Sequence, residues 1–235
     1  MSDIYVFNSL VFIILFPAEI YLSGTFPSWV TTVGMLNLVG NNFTFDSSNS
    51  SLVPGLNCLQ RNFHCNNNSP RYSRLAIKCG GKQSRVGNTV YEGDNIDGAS
   101  FDLYQTSRQS LGSLRYYGLG LENGPYNVSL FFAEIVYEDR ASRKWESLGR
   151  RAFDIYIQGT LCLKDFDISK EAGGVRKEIR RSFNATVSDN HLEIHLFWAG
   201  KGTCCVLAIG SYGPLISALS VTPGFPPTVD IEQSC

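Results

Sequence analysis

The sequence predicts an all-β domain, a two-sheet sandwich of jelly-roll type, with a short repeat-like segment in front of it. Two observations carry that expectation. Apolar residues alternate with period two in four separate runs, and no run keeps a 3.6-residue period over the length of a helix. The composition agrees: 235 residues include 15 Phe, 11 Tyr and 22 Gly. Aromatic side chains suit pleated surfaces, and glycines suit the turns between them.

The strand runs are Tyr126-Val128-Leu130-Phe132, Phe153-Ile155-Ile157, Phe183-Ala185-Val187 and Leu192-Ile194-Leu196-Trp198. Most of the intervening positions are polar, so one face is dry and the other largely wet. Turn signals punctuate them at Asn123-Gly124-Pro125, Gln158-Gly159 and Ala172-Gly173-Gly174. This regular region runs from about residue 76 to residue 221. A proline-containing tail, 222–235, completes the chain.

Three segments precede it. Residues 1–21 contain a short apolar run, Val6 to Phe16, which has the length of a signal-peptide core or of a buried repeat segment. It is too short to span a bilayer, and no later segment holds 18 uninterrupted apolar residues, so no membrane anchor is expected in this chain. Residues 22–48 resemble a plant leucine-rich repeat, through Leu22-Ser23-Gly24-Thr25-Phe26-Pro27 and Met35-Leu36-Asn37-Leu38-Val39-Gly40-Asn41-Asn42-Phe43. One or two such repeats cannot bury their own faces, so the segment is read as a remnant of a longer array or as leaning on the next domain. Residues 49–75, rich in Asn, Ser and Cys, read as a connector.

The formal net charge is −1, which provides no field for nucleic acid or an anionic membrane. Seven cysteines form no paired metal-binding knuckles, and with three histidines no metal site or cofactor is expected. Cys58 and Cys65 are the disulfide candidates, and Cys162 is a candidate partner for Cys204 or Cys205. Five Asn-x-Ser/Thr sequons, at Asn42, Asn49, Asn67, Asn127 and Asn184, point to a glycosylated secretory protein. Asn127 and Asn184 fall on the polar faces of their strands, where a glycan would be wet.

Six motifs then occur in order. They are Cys79-Gly80-Gly81, Leu103-Tyr104-Gln105-Thr106-Ser107-Arg108, Tyr126 to Glu134, Arg151 to Gly159, Lys164-Asp165-Phe166-Asp167-Ile168, and Leu192 to Gly202. Together they resemble the malectin family. With the repeat remnant and connector, the arrangement is similar to the ectodomain of plant leucine-rich-repeat receptor-like kinases. The resemblance implies a non-enzymatic recognition module at the outer face of the plasma membrane. It implies a carbohydrate or cell-wall glycan as ligand, or alternatively a peptide or co-receptor ectodomain. No kinase phosphate loop with its catalytic Asp/Asn set occurs in the chain.

Animal malectin holds its sugar with loop aromatics and an aspartate. At the family's Tyr-Phe pair this chain has Val136 and Tyr137; the other positions fall on Gln109, near Gly213, and around Tyr91. The diglucose site therefore carries over poorly, while the fold carries over well. The candidate ligand-binding residues are Tyr137, Tyr212, Tyr104 and Tyr117, with Glu134 and Asp139 as polar partners. Tyr116 is weighed with them, and packing is the plainer reading of any single tyrosine. Tyr137 is expected at a strand end near the rim, contributing little to the core. Glu134, Glu138 and Asp139 can also be read as glycosidase carboxylates, but a buried Glu134 paired to an arginine is the plainer reading. The charged stretch Glu138 to Trp145 is either a solvated loop or a docking tip with Trp145 as its anchor.

Overall fold

The computed structural model describes residues 2–7, 23–24, 42–43, 70–93, 103–110, 113–139, 141–203 and 212–229. Two sheets face each other. The first holds β1 (Ser2–Phe7), β8 (Ser113–Leu119), β13 (His191–Phe197), β10 (Phe153–Ile157) and β11 (Thr160–Phe166), in that spatial order. The second runs β12 (Glu178–Val187), β9 (Gly124–Ala133), β15 (Ala218–Pro223), β4 (Leu75–Lys78), β6 (Thr89–Gly93) and β5 (Ser84–Val86). A small pair joins β7 (Arg108–Gln109) to β14 (Leu215–Ile216). From β8 onward the chain crosses repeatedly between the two sheets, as the jelly-roll expectation requires.

The period-two pattern sets the register. Tyr126, Val128, Leu130 and Phe132 of β9 all point inward, none more than 2% exposed. They meet Leu192, Ile194 and Leu196 of β13, with Phe153, Ile155 and Ile157 of β10, in one core cluster. Phe132, Phe153 and Phe166 form an aromatic knot, with ring centroids 5.0–6.0 Å apart. The fourth expected run is one residue too long. β13 ends at Phe197, and Trp198 turns away to pack, rings tilted, against Tyr212 at 4.9 Å while its Nε1 donates to the Lys201 carbonyl at 2.6 Å.

Turn chemistry closes the ladders. Gln158 and Gly159, both at positive φ, make the tight β10–β11 hairpin, and Asp189 and Asn190 do the same between β12 and β13. That backbone geometry matches the right-handed twist of paired strands. The one described helix, α1 (Ile168–Ala172), is capped at its start by the Asp167 side chain and at its end by Gly173 at φ 73°.

The front of the chain is described only in fragments. β2 (Ser23–Gly24) pairs in parallel with β3 (Asn42–Phe43). The rest of the repeat-like segment, the connector, Cys58, Cys65, Asn49 and Asn67 lie outside the described residues, and for Asn42 only the backbone is described. Cys162 is a free thiol among the described residues, and its suggested partners Cys204 and Cys205 lie outside them. No metal-binding group of His, Cys, Asp or Glu occurs among the described residues. No described helix is long and apolar enough to cross a membrane.

On the outer face of the first sheet, the His195 ring stacks on Tyr156 at 5.7 Å and leans on Phe197 at 5.6 Å, with no partner for its Nε2 among the described residues. Burial pushes its pKa down from 6.5 to about 3, and the positive charge of Arg115 adds to the effect. The folded state therefore prefers neutral imidazole. The stability this provides is complete above pH 6.5 and is lost progressively as pH falls toward 3. The thermal midpoint should fall between pH 6.5 and 4. In His195→Gln that fall should be shallower by up to one proton's linkage, at most about 1.4 kcal/mol per pH unit. Calorimetry across that range checks it; parallel curves for the two proteins would exclude His195 as the cause.

Candidate ligand-binding loop end

The two ends of the sandwich differ. One carries the tight turns at 119–124, 158–159 and 188–190. The other carries the long loops that leave Ala133, precede Phe153 and surround α1.

At the loop end, β9 delivers Glu134 into the interior. Its carboxylate accepts two hydrogen bonds from Arg151, Nε at 2.7 Å and Nη2 at 3.3 Å, and both side chains are at most 1% exposed. The same carboxylate accepts the backbone amides of Val136 at 3.0 Å and Tyr137 at 3.2 Å. Arg151 also donates through Nη1 to the Gly213 carbonyl. A buried charge is tolerable only when paired and saturated with hydrogen bonds, and this pair is.

Tyr137 belongs to the same cluster. It is 2% exposed, its ring lies beneath the Arg151 guanidinium at 5.2 Å, and its hydroxyl donates to the Thr203 carbonyl at 3.3 Å. Gly149 packs against the ring so closely that a Cβ there would sit 2.0 Å from Cε1. This corrects the expectation of a rim residue that supports little of the core. The chain folds back over the strand end, and Tyr137 becomes a core side chain with no face open to a sugar.

Beside this cluster lies a cleft of about 660 Å³. Glu138 and Asp139 line it from the β9 loop, Ser147 and Gly149 from a 3-10 turn at Trp145–Leu148 and the residue after it, and Asp167, Lys170 and Gly173 from α1 and its caps. Two of its carboxylates are paired with nearby cations. Arg150 Nε donates to Asp167 at 2.8 Å, and Glu138 faces Lys144 at 3.2 Å and Arg176 at 3.8 Å. Asp167 thus serves twice, through Oδ1 as the helix cap and through Oδ2 as the seat of Arg150. Among the described residues, no aromatic side chain lines the cleft. On the 3-10 turn that helps form it, Trp145 is 56% and Leu148 76% exposed.

The other candidates scatter. Asp139 is exposed and lines the cleft, its Oδ1 accepting the Ala141 amide at 2.8 Å. Tyr212 sits at the same end against Trp198. Tyr104 packs edge-on to Phe131 at 6.3 Å, on the outer face of the second sheet. Tyr117 lies on the outer face of the first sheet, 3% exposed, stacked on His191 and donating to Glu193 at 3.3 Å. Burial, with the Glu193 charge behind it, pushes its pKa well up. Tyr116 is core. The candidates therefore do not form one site. Sequence reading missed Arg150, Asp167 and Lys170; the cue was Asp167-Ile168-Ser169-Lys170, whose first residue is a helix cap placed at the loop end.

These placements predict distinct costs. Glu134→Ala strands Arg151 and should cost about 3–5 kcal/mol. Tyr137→Ala opens a cavity under Arg151 and should cost about 3 kcal/mol or more. Asp139→Ala should stay within about 0.5 kcal/mol of wild type. Urea unfolding of the three variants measures this; a Tyr137→Ala protein as stable as wild type would contradict the buried placement.

The family model for the malectin domain matches residues 73–219. Two Arabidopsis thaliana proteins named as probable LRR receptor-like serine/threonine-protein kinases are similar to the chain at 46% and 45% identity, over 88% and 83% of its length. The chain spans 24% and 23% of those relatives. Among solved structures, plant receptor-like kinase ANX2 gives a TM-score of 0.47 at 12% identity, covering 68% of this chain and 50% of that one. A Bacteroides uniformis β-glucuronidase gives 0.44 at 16%, covering 65% and 18%. With a two-sheet sandwich and a family match across most of it, the chain belongs to the malectin domain family.

Proposed function

We propose that this chain is an extracellular recognition module of the receptor-kinase type, and that its loop end docks a protein or peptide partner. The malectin family match and the similarity to receptor-like kinases support the first part. The five sequons support the extracellular side, and Asn184 is exposed as a glycan acceptor must be.

One observation carries the second part. Sugar sites present aromatic faces inside a concave pocket. Here the described residues give the cleft none, Tyr137 is buried, and the exposed large side chains Trp145 and Leu148 stand on the adjoining turn. An exposed tryptophan three residues before an exposed leucine, flanked in sequence by Lys144 and Arg150, has the composition of a protein-binding hot spot with a polar rim. A cell-wall glycan is the second reading; the cleft's carboxylates favour it, since carboxylates chelate sugar hydroxyl pairs.

Binding of wild type and Trp145→Ala to ectodomains and secreted peptides of the same receptor class, and to diglucose, separates the readings. The expected result is a protein partner whose affinity drops at least tenfold with Trp145→Ala, about 1.4 kcal/mol or more, with diglucose bound by neither protein. Micromolar diglucose binding unaffected by Trp145→Ala would overturn the docking assignment.

A further inference from the structure

Two sequons meet across a ladder. In the antiparallel pairing of β12 with β9, Asn184 stands directly opposite Asn127. Directly opposed residues on one face have Cβ atoms about 4.5–5.5 Å apart. A pyranose ring with its substituents is as wide as that gap, so two glycans cannot both rise from this pair without collision.

The two asparagines differ in their surroundings. Among the described residues β12 is the edge of its sheet, so Asn184 has a strand neighbour on one side only. Asn127 is flanked on both sides, by Asn184 and by Thr222 of β15. Asn184 is exposed and Asn127 half-buried. The Asn127 side chain is also tied to the sheet: its Oδ1 accepts the Ser129 hydroxyl at 3.1 Å, and Ser129 in turn accepts from Arg180 at 2.7 Å. A glycan on Asn184 can lean out over the free edge. One on Asn127 would be wedged into a closed row.

We propose that Asn184 carries an N-linked glycan in the folded protein while the opposed Asn127 stays bare. The chemistry is transfer from a lipid-linked oligosaccharide pyrophosphate. The Asn184 Nδ2 bonds to C1 of the first N-acetylglucosamine and loses one proton to solvent. The C1–O bond to the lipid pyrophosphate breaks, and the pyrophosphate leaves with the electron pair. The attached glycan then covers the open side of the ten-residue strand β12, an edge that is otherwise a template for strand addition. The proposal rests on the extracellular part of the reading above and not on the loop-end partner.

The test uses the full chain from a eukaryotic secretory host, with Asn42, Asn49 and Asn67 changed to Gln so that two sequons remain. Intact mass counts the glycans, and enzymatic release in ¹⁸O-water marks each occupied asparagine as labelled Asp. One glycan per molecule is expected, on Asn184, unchanged in Asn127→Gln and absent from Asn184→Gln. Thr186→Ala, which breaks the sequon and leaves Asn184 in place, should also be bare. Two glycans on one molecule, none at all, or a glycan retained in Asn184→Gln or Thr186→Ala would overturn the proposal. Partner binding reads Trp145 and glycan counting reads Asn184, so the two proposals fail separately.

Discussion

The loop end is organised by the buried contact between Arg151 and Glu134. Three stretches distant in sequence converge on it: the end of β9, the entry to β10, and the segment before β14 through Gly213. The backbone carbonyl of Glu134 also receives the Arg176 amide at 2.8 Å, which ties in the chain leaving α1. Such a pair contributes little net stability compared with an apolar substitute, because desolvating two charges is expensive. What it provides is definition. A guanidinium fork has few ways to satisfy its donors in a dry interior, so the loops that supply acceptors are held in one arrangement. The walls of the adjoining cleft inherit that rigidity.

The strands were legible in the sequence because their cause is local. Period-two alternation is the direct image of a pleated strand with one dry face, and Val128, Leu130, Ile155 and Ile194 fall where it places them. The hairpin at Gln158-Gly159 was legible for a similar reason, since its glycine marks a left-handed backbone position. The loop end was not legible. Whether Tyr137 is wet or dry depends on Gly149 approaching its ring and on Arg151 covering it, contacts made by residues 12 and 14 positions further on. Strand periodicity ends at Ala133 and has nothing to say about how the next fifteen residues fold back. The family resemblance placed Tyr137 at the right end of the sandwich but not the side on which its ring lies. Trp198 departs from its expected run for the same reason, because the end of a strand is decided by the contacts of the chain beyond it, here Lys201 and Tyr212.

The second sheet divides its outer face between dry and wet. Around Phe131 the rings of Tyr91 and Tyr104 and the guanidinium of Arg180 cover it, forming a small satellite core with Ala76, Leu103 and Ala218. Toward Asn127, Asn184 and Thr222 the side chains turn polar. A sandwich whose outer surfaces are partly dressed by its own chain leaves its ends as the natural places for contact, and long loops with a tryptophan at the surface occupy one of them.

The other end has a fixed exit. After β15 the backbone is held by the Gly224 amide on the Pro125 carbonyl at 2.8 Å, and the Phe225 ring packs on Tyr126 at 5.5 Å. The Glu122 carboxylate then accepts from Thr228, through its amide at 3.0 Å and its hydroxyl at 2.7 Å, and from the Val229 amide at 3.3 Å. β9 runs the full height between this point and the cleft, about 30 Å for ten residues. Anything tethered beyond Val229 is therefore mounted on the pole opposite the cleft. A tug on that tether loads the Glu122 bonds first. Beyond them lies β15, laced on both sides to β9 and β4, so the domain resists as a strut with the cleft held at the far tip.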